Sequence, residues 1–258
     1  MKLFELTGKV ALITGSSRGI GRAIAEAMAA AGAKVVISSR KQDACDQVAA
    51  EINARHGDGA AIAVAASISS KDALQALVDT ARGAFGRIDV LVCNAASNPY
   101  YGPMEGISDE QFRKVFENNV LANHWLIQMV VPDMKTSKDG AIVVISSLGG
   151  FIGSADIGAY NISKAADFQL VRNLAVELGP DNIRVNAIAP GVIRTDFAKA
   201  LYEDPQVEAA LSRATPLGRI GEPQDVAGTA LFLSSAAAAH ITGQSIIVDG
   251  GAIVKGGF

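Results

Sequence analysis

The first glycine-rich stretch of the chain reads Thr14-Gly15-Ser16-Ser17-Arg18-Gly19-Ile20-Gly21. It follows a short β-branched run and opens an alanine-rich helical pattern, so it connects a predicted strand to a predicted helix. Glycines at 15, 19 and 21 let the backbone come close to a pyrophosphate, and the helix N-terminus supplies free N–H groups and a positive dipole end. This stretch therefore predicts a nucleotide-phosphate site.

The position of this stretch in the chain separates it from ordinary glycine-rich turns. It lies between the first strand and the first helix, and a second strand follows at the spacing of a mononucleotide-binding unit. The Gly-x-x-x-x-Gly-Lys-Ser/Thr pattern is absent from the stretch, which excludes a P-loop ATPase. Its glycine spacing also differs from the Gly-x-Gly-x-x-Gly pattern of long-chain dehydrogenases.

Strand and helix patterns alternate from this stretch to about residue 190. The predicted strands lie at 9–14, 34–38, 61–65, 88–93, 141–146 and 183–189, with a last strand at 245–248. The predicted helices include 21–31, 42–55, 71–85, 109–134 and 158–178. Several strands are apolar on both faces, as in a parallel sheet that is covered by helices on both sides. We therefore expect an α/β fold in three layers, with a doubly wound parallel sheet of the Rossmann type.

The domain organisation follows from the same rhythm. No linker or internal repeat divides residues 1–258, so the sequence predicts a single Rossmann-type domain. After Pro190 the alternation stops, and the next segment has the pattern of one or two helices without a paired strand. We interpret residues 195–213 as a small substrate-binding lid within the domain.

Composition and charge exclude several classes of partner. The 23 basic and 26 acidic residues give a net charge of −3, with no basic cluster that would bind a nucleic-acid backbone. Cys45 and Cys93 are too few for a disulfide framework or a thiolate zinc site, and the three histidines match no metal-ligand spacing. The chain starts without a signal-peptide pattern, and polar residues interrupt its longest uncharged run, 226–248. We expect a cytoplasmic protein with no metal, nucleic-acid or membrane partner.

The end of the second predicted strand bears on the choice of nucleotide. A carboxylate at this point would bind the ribose 2′-hydroxyl of NAD, whereas a 2′-phosphate needs cations. The strand continues into Ser39, Arg40 and Lys41, without a carboxylate, and Arg18 could face the same phosphate. These residues favour NADP(H) over NAD(H). In the alternative interpretation, Arg40 and Lys41 belong to a solvated loop.

A second group of polar residues follows the fifth predicted strand. Ser147 closes this strand, and Tyr160 and Lys164 follow it one helical turn apart, so they share a helix face. A lysine ammonium close to a tyrosine phenol stabilises the phenolate, which allows the phenol to exchange a proton with a carbonyl or alcohol oxygen. A serine hydroxyl from the loop can hold the same substrate oxygen. This combination predicts acid–base catalysis at a carbonyl or an alcohol.

With these residues in their order, the chain resembles the short-chain dehydrogenase/reductase family over essentially its whole length. The stretch 14–21 is similar to the family's Thr-Gly-x-x-x-Gly-x-Gly turn, and residues 93–96 resemble its Asn-Asn-Ala-Gly motif, with departures at Cys93 and Ala96. The segments 190–195 and 242–251 are also similar to family segments. The positions that the resemblance assigns to the dinucleotide are Gly15, Ser17, Arg18, Gly19, Ile20, Gly21, Ser39, Arg40, Lys41, Ser67, Ile68, Asn94, Ala95, Tyr160, Lys164, Pro190, Gly191, Ile193 and Thr195.

The resemblance also implies catalytic roles. Tyr160 would be the general acid or base, and Lys164 would stabilise its phenolate and anchor the nicotinamide ribose. Ser147 would position the substrate oxygen. Asn119 falls where the family has its helix asparagine, which implies a water-mediated proton relay to Lys164.

Two positions depart from the family pattern or compete with it. Ser67 stands where the family usually has an aspartate that bonds the adenine amino group, and Ser67 with the Ile68 backbone could take over this contact. Asn118 directly precedes Asn119 and competes with it for the helix-asparagine role. We interpret Asn118 as a surface residue of its helix.

These observations together predict an oxidoreductase that transfers a hydride between NADP(H) and a carbonyl or secondary alcohol. Tyr100, Phe151 and Phe197 lie on the loops expected around the substrate, which favours a small, apolar or aromatic compound. The resemblance implies a homotetramer with contacts through helices 109–134 and 158–178. Two alternatives are an NAD-dependent alcohol dehydrogenase of the same fold and a catalytically silent dinucleotide-binding protein.

Overall fold

Residues 2–255, the part of the chain that the computed structural model describes, contain one sheet of seven parallel strands. The strands are β1 (Val10–Thr14), β2 (Lys34–Ser38), β3 (Ala61–Ala63), β4 (Val90–Cys93), β5 (Gly140–Ile145), β6 (Ile183–Pro190) and β7 (Ser245–Val248). Their order across the sheet is β3-β2-β1-β4-β5-β6-β7. All seven strands that the sequence predicts are present, and their ends differ from the prediction by one or two residues at most.

Eight α-helices accompany the sheet within the same residues. They are α1 (Gly19–Ala30), α2 (Gln42–His56), α3 (Lys71–Phe85), α4 (Asp109–Phe116), α5 (Ala122–Ser137), α6 (Gly158–Leu178), α7 (Pro205–Ala214) and α8 (Pro223–Ser234). Short 3-10 turns lie at Lys2–Phe4, Met104–Gly106, Leu148–Gly150, Gly179–Asp181, Asp196–Leu201, Ala236–Ala238 and Ile253–Lys255. Across the described residues, no helix has both the length and the apolar character that a membrane crossing needs.

The long helix predicted over 109–134 needs a correction. It consists of α4 and α5, which are joined by a π-helical turn at Glu117–Leu121. A π-helical turn closes its hydrogen bonds over five residues instead of four, and such turns often occur at functional sites. The apolar spacing of the sequence does not reveal this local widening of the helix.

Both faces of the sheet are buried. Every residue of β1, β4 and β5 is buried, and their side chains enter two separate apolar layers. One layer contains side chains of α1, α2 and α8, and the other contains side chains of α3, α5 and α6. A parallel strand between two helical layers has no face toward water, which explains the continuous apolar runs of the sequence. The predicted three-layer, doubly wound architecture is confirmed.

The strand order defines a crevice at one edge of the sheet. Because β1 lies between β2 and β4, the direction of winding reverses at this point. In doubly wound sheets, ligands bind outside the carboxyl ends of the strands at this reversal. The glycine-rich stretch follows β1, Ser39 follows β2 and Asn94 follows β4. The topology therefore gathers these three candidate segments at one edge.

Thr14 connects two of these segments through hydrogen bonds. Its Oγ1 accepts hydrogen bonds from the backbone N–H groups of Asn94 (3.0 Å) and Ala95 (3.1 Å). In the other direction, the Asn94 side-chain Nδ2 donates to the carbonyls of Thr14 (2.8 Å) and Gly15 (3.2 Å). The carboxyl ends of β1 and β4 are held together by these four bonds, and the start of the glycine-rich stretch is held with them.

The substitution Thr14→Val should destabilise the fold, because it keeps the shape of the side chain but removes the acceptor for two backbone N–H groups. Leaving buried donors without a partner typically costs about 1 to 3 kcal/mol. Urea denaturation monitored by circular dichroism should show this loss in the free energy of unfolding. Thr14→Ser, which keeps the hydroxyl, is the matched control and should lose less; equal losses in both variants would contradict the role given to Oγ1.

Candidate functional site

The glycine-rich stretch forms a tight turn between β1 and α1. Gly15 and Gly19 have φ values of 64° and 57°, a region that favours glycine. At Gly21, an added Cβ would lie 2.5 Å from the Gly15 carbonyl oxygen and 2.5 Å from Asn94 Nδ2. The turn is therefore packed directly against the β4 loop, and the N-terminus of α1 begins within it at Gly19. Ser17 and Ile20 of the turn are half-buried.

The residues after β2 leave positive charge at the surface. Arg40 and Lys41 are exposed, and Ser39 is half-buried with its Oγ 3.2 Å from Cys45 Sγ. Arg18, the third candidate cation, forms an exposed salt bridge with Asp196 at 2.9 Å. The Arg18 guanidinium therefore points to the segment after β6. It would have to leave or share Asp196 to bind a phosphate beside Arg40.

The loop after β3 lies beside the end of β2. The backbone N–H of Ala66 donates to the Ser39 carbonyl at 2.9 Å, which brings Ser67 and Ile68 next to this end. Both residues are half-buried, and Ser67 Oγ lies 2.9 Å from Ser69 Oγ. The hydroxyl of Ser67 is thus placed at the edge where the sequence predicts the adenine.

The segment after β6 meets the glycine-rich turn. The Gly191 backbone N–H donates to the Val248 carbonyl at 2.9 Å, which fixes the end of β6 against β7. Ile193 is buried and pairs in parallel with Gly221. An added Cβ on Gly19 would lie 3.2 Å from Thr195 Cγ2, so Thr195 lies against the turn. The predicted pyrophosphate and nicotinamide segments are therefore neighbours, with Pro190 buried at the start of the second one.

The loop after β5 is held against α6. Ser146 Oγ donates to the Lys164 carbonyl at 2.7 Å, and Lys164 Nζ donates to the Ile145 carbonyl at 2.9 Å. Ser147, the next residue, is half-buried, and its Oγ accepts from the Gly149 backbone N–H at 3.1 Å. These bonds fix the catalytic serine candidate next to the helix that carries the other two candidates.

Tyr160 and Lys164 lie on one face of α6, as their spacing predicts. Lys164 Nζ is 5.6 Å from the centroid of the Tyr160 ring, and the Lys164 residue is only 2% exposed. The Tyr160 ring is half-buried, and its centroid is 6.0 Å from that of Phe197. An ammonium group is therefore fixed close to a phenol at the edge of the crevice.

Asn119 is buried in the π-helical turn and is tied to two other elements. Its Nδ2 donates to Ser163 Oγ and to the Ser97 carbonyl, each at 3.0 Å, and its Oδ1 accepts from the Ser97 backbone N–H at 2.8 Å. Its main-chain carbonyl accepts from Asn123 Nδ2 at 2.6 Å. Asn119 thus connects the β4 loop to α6, one residue before Lys164.

The interpretation of Asn118 as a surface residue is wrong. Asn118 is buried, and its Nδ2 donates to Ser97 Oγ at 2.8 Å. The π-helical turn explains the difference, because an extra residue in the turn brings both asparagines to the protein interior.

Sequence analysis did not single out Asn123 and Asp167, which complete this polar cluster. Asn123 Nδ2 also lies 3.2 Å from Asp167 Oδ1, and Asp167 Oδ2 lies 3.3 Å from Lys164 Nζ. Both residues are buried. The sequence does place the Asp167 carboxylate one helical turn after Lys164, on a helix that buries one face. This spacing is the pattern from which their contact could be predicted.

Burial and neighbouring charges shift the pKa values of this cluster in opposite directions. Burial by itself lowers the pKa of Lys164, but the nearby Asp167 carboxylate, its hydrogen bond to the ammonium and the charges of Tyr160 and Cys93 together raise the pKa above its ordinary value. Burial raises the pKa of Asp167, and the charge of Lys164 and the hydrogen bond from Asn123 counteract that rise. Burial also raises the pKa of the nearby Cys93 thiol. Lys164 is therefore a charged ammonium at neutral pH, next to a neutral thiol.

The three aromatic candidates for the substrate pocket have different surroundings. Phe197 is 60% exposed beside Tyr160. Phe151 is also exposed, and its ring stacks on Phe168 of α6 with centroids 4.3 Å apart. Tyr100 is half-buried, and its hydroxyl donates to the Pro103 carbonyl within its own loop at 2.9 Å. Phe197 is the candidate that the structure brings next to Tyr160.

Within residues 2–255, no three histidine, cysteine, aspartate or glutamate side chains lie close enough together to hold a metal ion.

Comparisons with known proteins agree with this geometry. A sequence model of the family described as enoyl-(acyl carrier protein) reductase matches residues 15–252. Human dehydrogenase/reductase SDR family member 4 is 40% identical over 247 residues, covering 95% of this chain and 88% of that protein.

Two solved structures are similar over nearly the whole chain. A 7α-hydroxysteroid dehydrogenase complexed with NADH and 7-oxo glycochenodeoxycholic acid is 41% identical with a TM-score of 0.92, covering 97% of this chain and 96% of that chain. A putative NAD(P)-dependent gluconate 5-dehydrogenase from Beutenbergia cavernae, with bound NADP at low occupancy, is 37% identical with a TM-score of 0.91. The alignment of the two covers 98% of this chain and 99% of the gluconate 5-dehydrogenase chain.

The substitution Gly21→Ala should weaken dinucleotide binding, because the added Cβ would collide with the Gly15 carbonyl and push the turn away from β4. Overpacking of this kind costs about 1 to 3 kcal/mol, and 1.4 kcal/mol corresponds to tenfold in affinity. Titration with NADPH, followed by its fluorescence, should show affinity reduced by about tenfold or more. Gly83→Ala is the matched control, since an added Cβ there meets nothing within 4 Å; unchanged affinity in Gly21→Ala would contradict the packing argument.

Proposed function

This chain belongs to the short-chain dehydrogenase/reductase family and is an oxidoreductase of CH–OH and C=O groups. We propose that it uses NADP(H) as its cofactor. We also propose that its proton transfer depends on four residues, Tyr160, Lys164, Ser147 and Asn119. The observation that carries the proposal is the buried Lys164 ammonium, fixed 5.6 Å from the centroid of the Tyr160 ring. A dinucleotide-binding scaffold would have no use for this costly arrangement, because burying a charge requires a dedicated partner.

Tyr160 would exchange a proton with the oxygen of the substrate. In reduction its phenol donates the proton to the carbonyl oxygen, and in oxidation its phenolate accepts one from the alcohol. Lys164 favours the phenolate by its charge, and Ser147, at the start of the loop after β5, would donate a hydrogen bond to the same substrate oxygen. Asn119 holds the β4 loop against α6 and so keeps the Lys164 side of the site in place.

The residues around the crevice fit a dinucleotide. The close approach at Gly21 and the positive φ of Gly15 and Gly19 form a backbone cradle at the N-terminus of α1, which suits a pyrophosphate. When bound, NADP(H) supplies the hydride donor or acceptor of the reaction. The segments at the carboxyl ends of β3, β4 and β6 would hold its adenine and nicotinamide ends through Ser67, Ile68, Asn94, Ala95, Pro190, Gly191, Ile193 and Thr195.

The choice of NADP(H) rests on the residues after β2. Ser39 supplies no carboxylate for a ribose 2′-hydroxyl, and the exposed Arg40 and Lys41 are placed to attract a 2′-phosphate. Arg18 would add a third cation if its salt bridge with Asp196 opened. The relatives do not decide this point, because one similar structure carries NADH and another carries NADP.

We propose a small, apolar or aromatic carbonyl compound or secondary alcohol as substrate. Large apolar side chains that are exposed around the crevice support this class, including Phe151, Ile152 and Phe197. Phe197 lies beside Tyr160, so an apolar group next to the reacting carbon would find an apolar contact.

Residues 195–213 are proposed to act as a lid. Asp196 binds Arg18 of the glycine-rich turn, and Arg194 binds Glu208 of α7 (2.5 Å) and Glu222 (3.0 Å). The pair at Arg18 is exposed, so it is weakly stabilising and can open. The lid would thus be joined to the glycine-rich turn through the pair at Arg18, which can open and close as a closing element over the substrate requires.

We further propose a cytoplasmic homotetramer. The outer face of α6 exposes Ile162 and Val176, and the π-helical turn exposes Leu121, so apolar surface is left on the two predicted contact helices. Cys45 and Cys93 are free, buried thiols, which suits a reducing compartment.

Replacing Tyr160 by phenylalanine should abolish most of the turnover while the fold and dinucleotide affinity stay near those of the wild type. Positioned acid catalysis is worth about 10² to 10⁴ in rate, and the ring of phenylalanine keeps the packing against Phe197. NADPH consumption with cyclohexanone and acetophenone measures the rate, and NADPH titration and thermal unfolding are the controls. A variant that keeps more than half of the wild-type turnover would refute the assignment.

The nucleotide preference should be at least tenfold for NADP(H) in kcat/KM. Charge-assisted bonds to a phosphate contribute about 1.5 to 3 kcal/mol each, and one such bond corresponds to about tenfold or more. The double substitution Ser39→Asp with Arg40→Ala should reverse the preference, because it adds a carboxylate and removes a cation. Lys34→Ala, which removes a cation at the opposite end of β2, is the matched control. Equal affinity of the wild type for NADH and NADPH would falsify the NADP(H) assignment.

A further inference from the structure

Asp167 places a second charge inside the layer that holds the proposed catalytic lysine. Its residue is 0% exposed, Lys164 is 2% exposed, and Asp167 Oδ2 lies 3.3 Å from Lys164 Nζ. A buried charge without a partner is strongly destabilising, so two opposite charges at this distance compensate each other. The ammonium that acts on Tyr160 is therefore one half of a buried ion pair.

The Lys164 ammonium has three N–H donors, and two of them point to other groups of the protein. One donates to the Ile145 carbonyl at 2.9 Å and one points to Asp167. These two bonds leave one donor, and the Tyr160 ring lies 5.6 Å from Nζ. Asp167 thus holds the ammonium in position, and its negative charge opposes the effect of the ammonium on Tyr160.

The surroundings of Asp167 contain few other groups that titrate. From α6 it faces Lys164, from α5 it faces the neutral amide of Asn123 at 3.2 Å, and from β4 it lies near the Cys93 thiol. Burial raises the pKa of that thiol, so it stays neutral and does not compete with Lys164 for the carboxylate. The charge of Asp167 is therefore opposed by Lys164 within this cluster.

The Asn123 side chain extends the effect to the π-helical turn. Its Nδ2 contacts both the Asn119 carbonyl and Asp167 Oδ1. The carboxylate is thereby held between the lysine and the turn that carries Asn119. Movement of either element would change the distance between Asp167 and Lys164.

We propose that Asp167 is a positioning residue, which holds Lys164 in place and offsets part of its positive charge, so that the charge Tyr160 experiences is smaller than that of an uncompensated ammonium. This inference rests on the proposed function, because it takes Tyr160 and Lys164 as the proton-transfer pair. A nearby negative charge makes the loss of a proton harder, so Asp167 would keep the Tyr160 phenol protonated to higher pH. Its effect is to adjust the pH range in which Tyr160 works.

The test is the ionisation of Tyr160 in the full-length protein with Asp167→Asn, which removes the charge and keeps the size. Tyrosinate absorbance is titrated with pH, and the same titration of the matching Tyr160→Phe variant is subtracted to remove the other three tyrosines of the chain. The midpoint of Tyr160 ionisation should move to lower pH by about half a unit or more, because the charge of Lys164 then acts on the phenol without the opposing charge of Asp167. An unchanged or higher midpoint overturns the proposal.

Three further variants separate charge from structure. Asp167→Glu keeps the charge and should leave the midpoint close to that of the wild type. Asn123→Ala removes a hydrogen bond that holds the same carboxylate without changing any charge, so it should lower the thermal midpoint and move the titration by less than Asp167→Asn does. If Asp167→Asn fails to fold, Asp167→Gln is neutral, keeps an oxygen that can accept from Lys164 and matches Asp167→Glu in size, and it should give the same downward shift. A merely structural role of Asp167 predicts loss of stability in Asp167→Asn with no shift, and this result overturns the proposal.

The proposal can fail independently of the proposed function. The titration needs no substrate and no cofactor, whereas the function is tested by ketone reduction in wild type and Tyr160→Phe. Loss of turnover in Tyr160→Phe together with an unmoved titration in Asp167→Asn would overturn only the role of Asp167.

Discussion

A charged lysine inside an apolar layer is the constraint to which the rest of the candidate site is adjusted. Lys164 lies on α6 with its ammonium out of water, and the protein compensates it with a backbone carbonyl of β5 and the carboxylate of Asp167. Each partner has to be held in turn, Ile145 by the sheet and Asp167 by Asn123 of α5. One buried charge thus couples a strand and two helices, and its neighbourhood contains the residues that the proposed chemistry needs.

The parallel sheet makes this coupling possible. Because all seven strands run in one direction in the described chain, their carboxyl ends meet at one edge, and the loops after β1, β4 and β5 reach each other. Thr14 and Asn94 join the first two of these loops, and Ser146 joins the third to α6. The backbone cradle for a phosphate therefore follows β1, the tyrosine–lysine pair lies on the helix that follows β5, and β4 lies between these two strands in the sheet.

The segment after β6 is attached in a different way. Its start is fixed in the sheet through Gly191 and Ile193, whereas its helical part is held by ion pairs of Arg18 and Arg194 that lie at the surface. Exposed ion pairs contribute little to stability, so the ion pairs of this segment oppose its opening only weakly. The same Arg18 side chain is a candidate for binding a 2′-phosphate. In the proposed function, a 2′-phosphate and Asp196 would therefore compete for one cation.

The sequence alone determined the fold and the identity of most candidate residues. Continuous apolar runs in β1, β2 and β5 indicate strands that are buried on both faces, and a parallel three-layer sheet is the architecture that buries them. Tyr160 and Lys164 share a helix face by the periodicity of the helix, which is a local property. The ends of α3 and α6 agree with the prediction because they depend on local patterns of the same kind.

The tertiary structure decided what surrounds these residues. The sequence shows that Asp167 is a carboxylate on a helix. Its hydrogen bond with Asn123 depends on how α5 packs against α6, and helical periodicity carries no information about that packing. The surface position predicted for Asn118 is wrong for a related reason, because the extra residue of the π-helical turn brings Asn118 to the interior and no apolar spacing records that residue. Arg18 likewise pairs with Asp196 across 178 positions of the chain. Periodicity fixes which residues share a face of one element, whereas partners from distant elements are chosen by the packing of the whole domain.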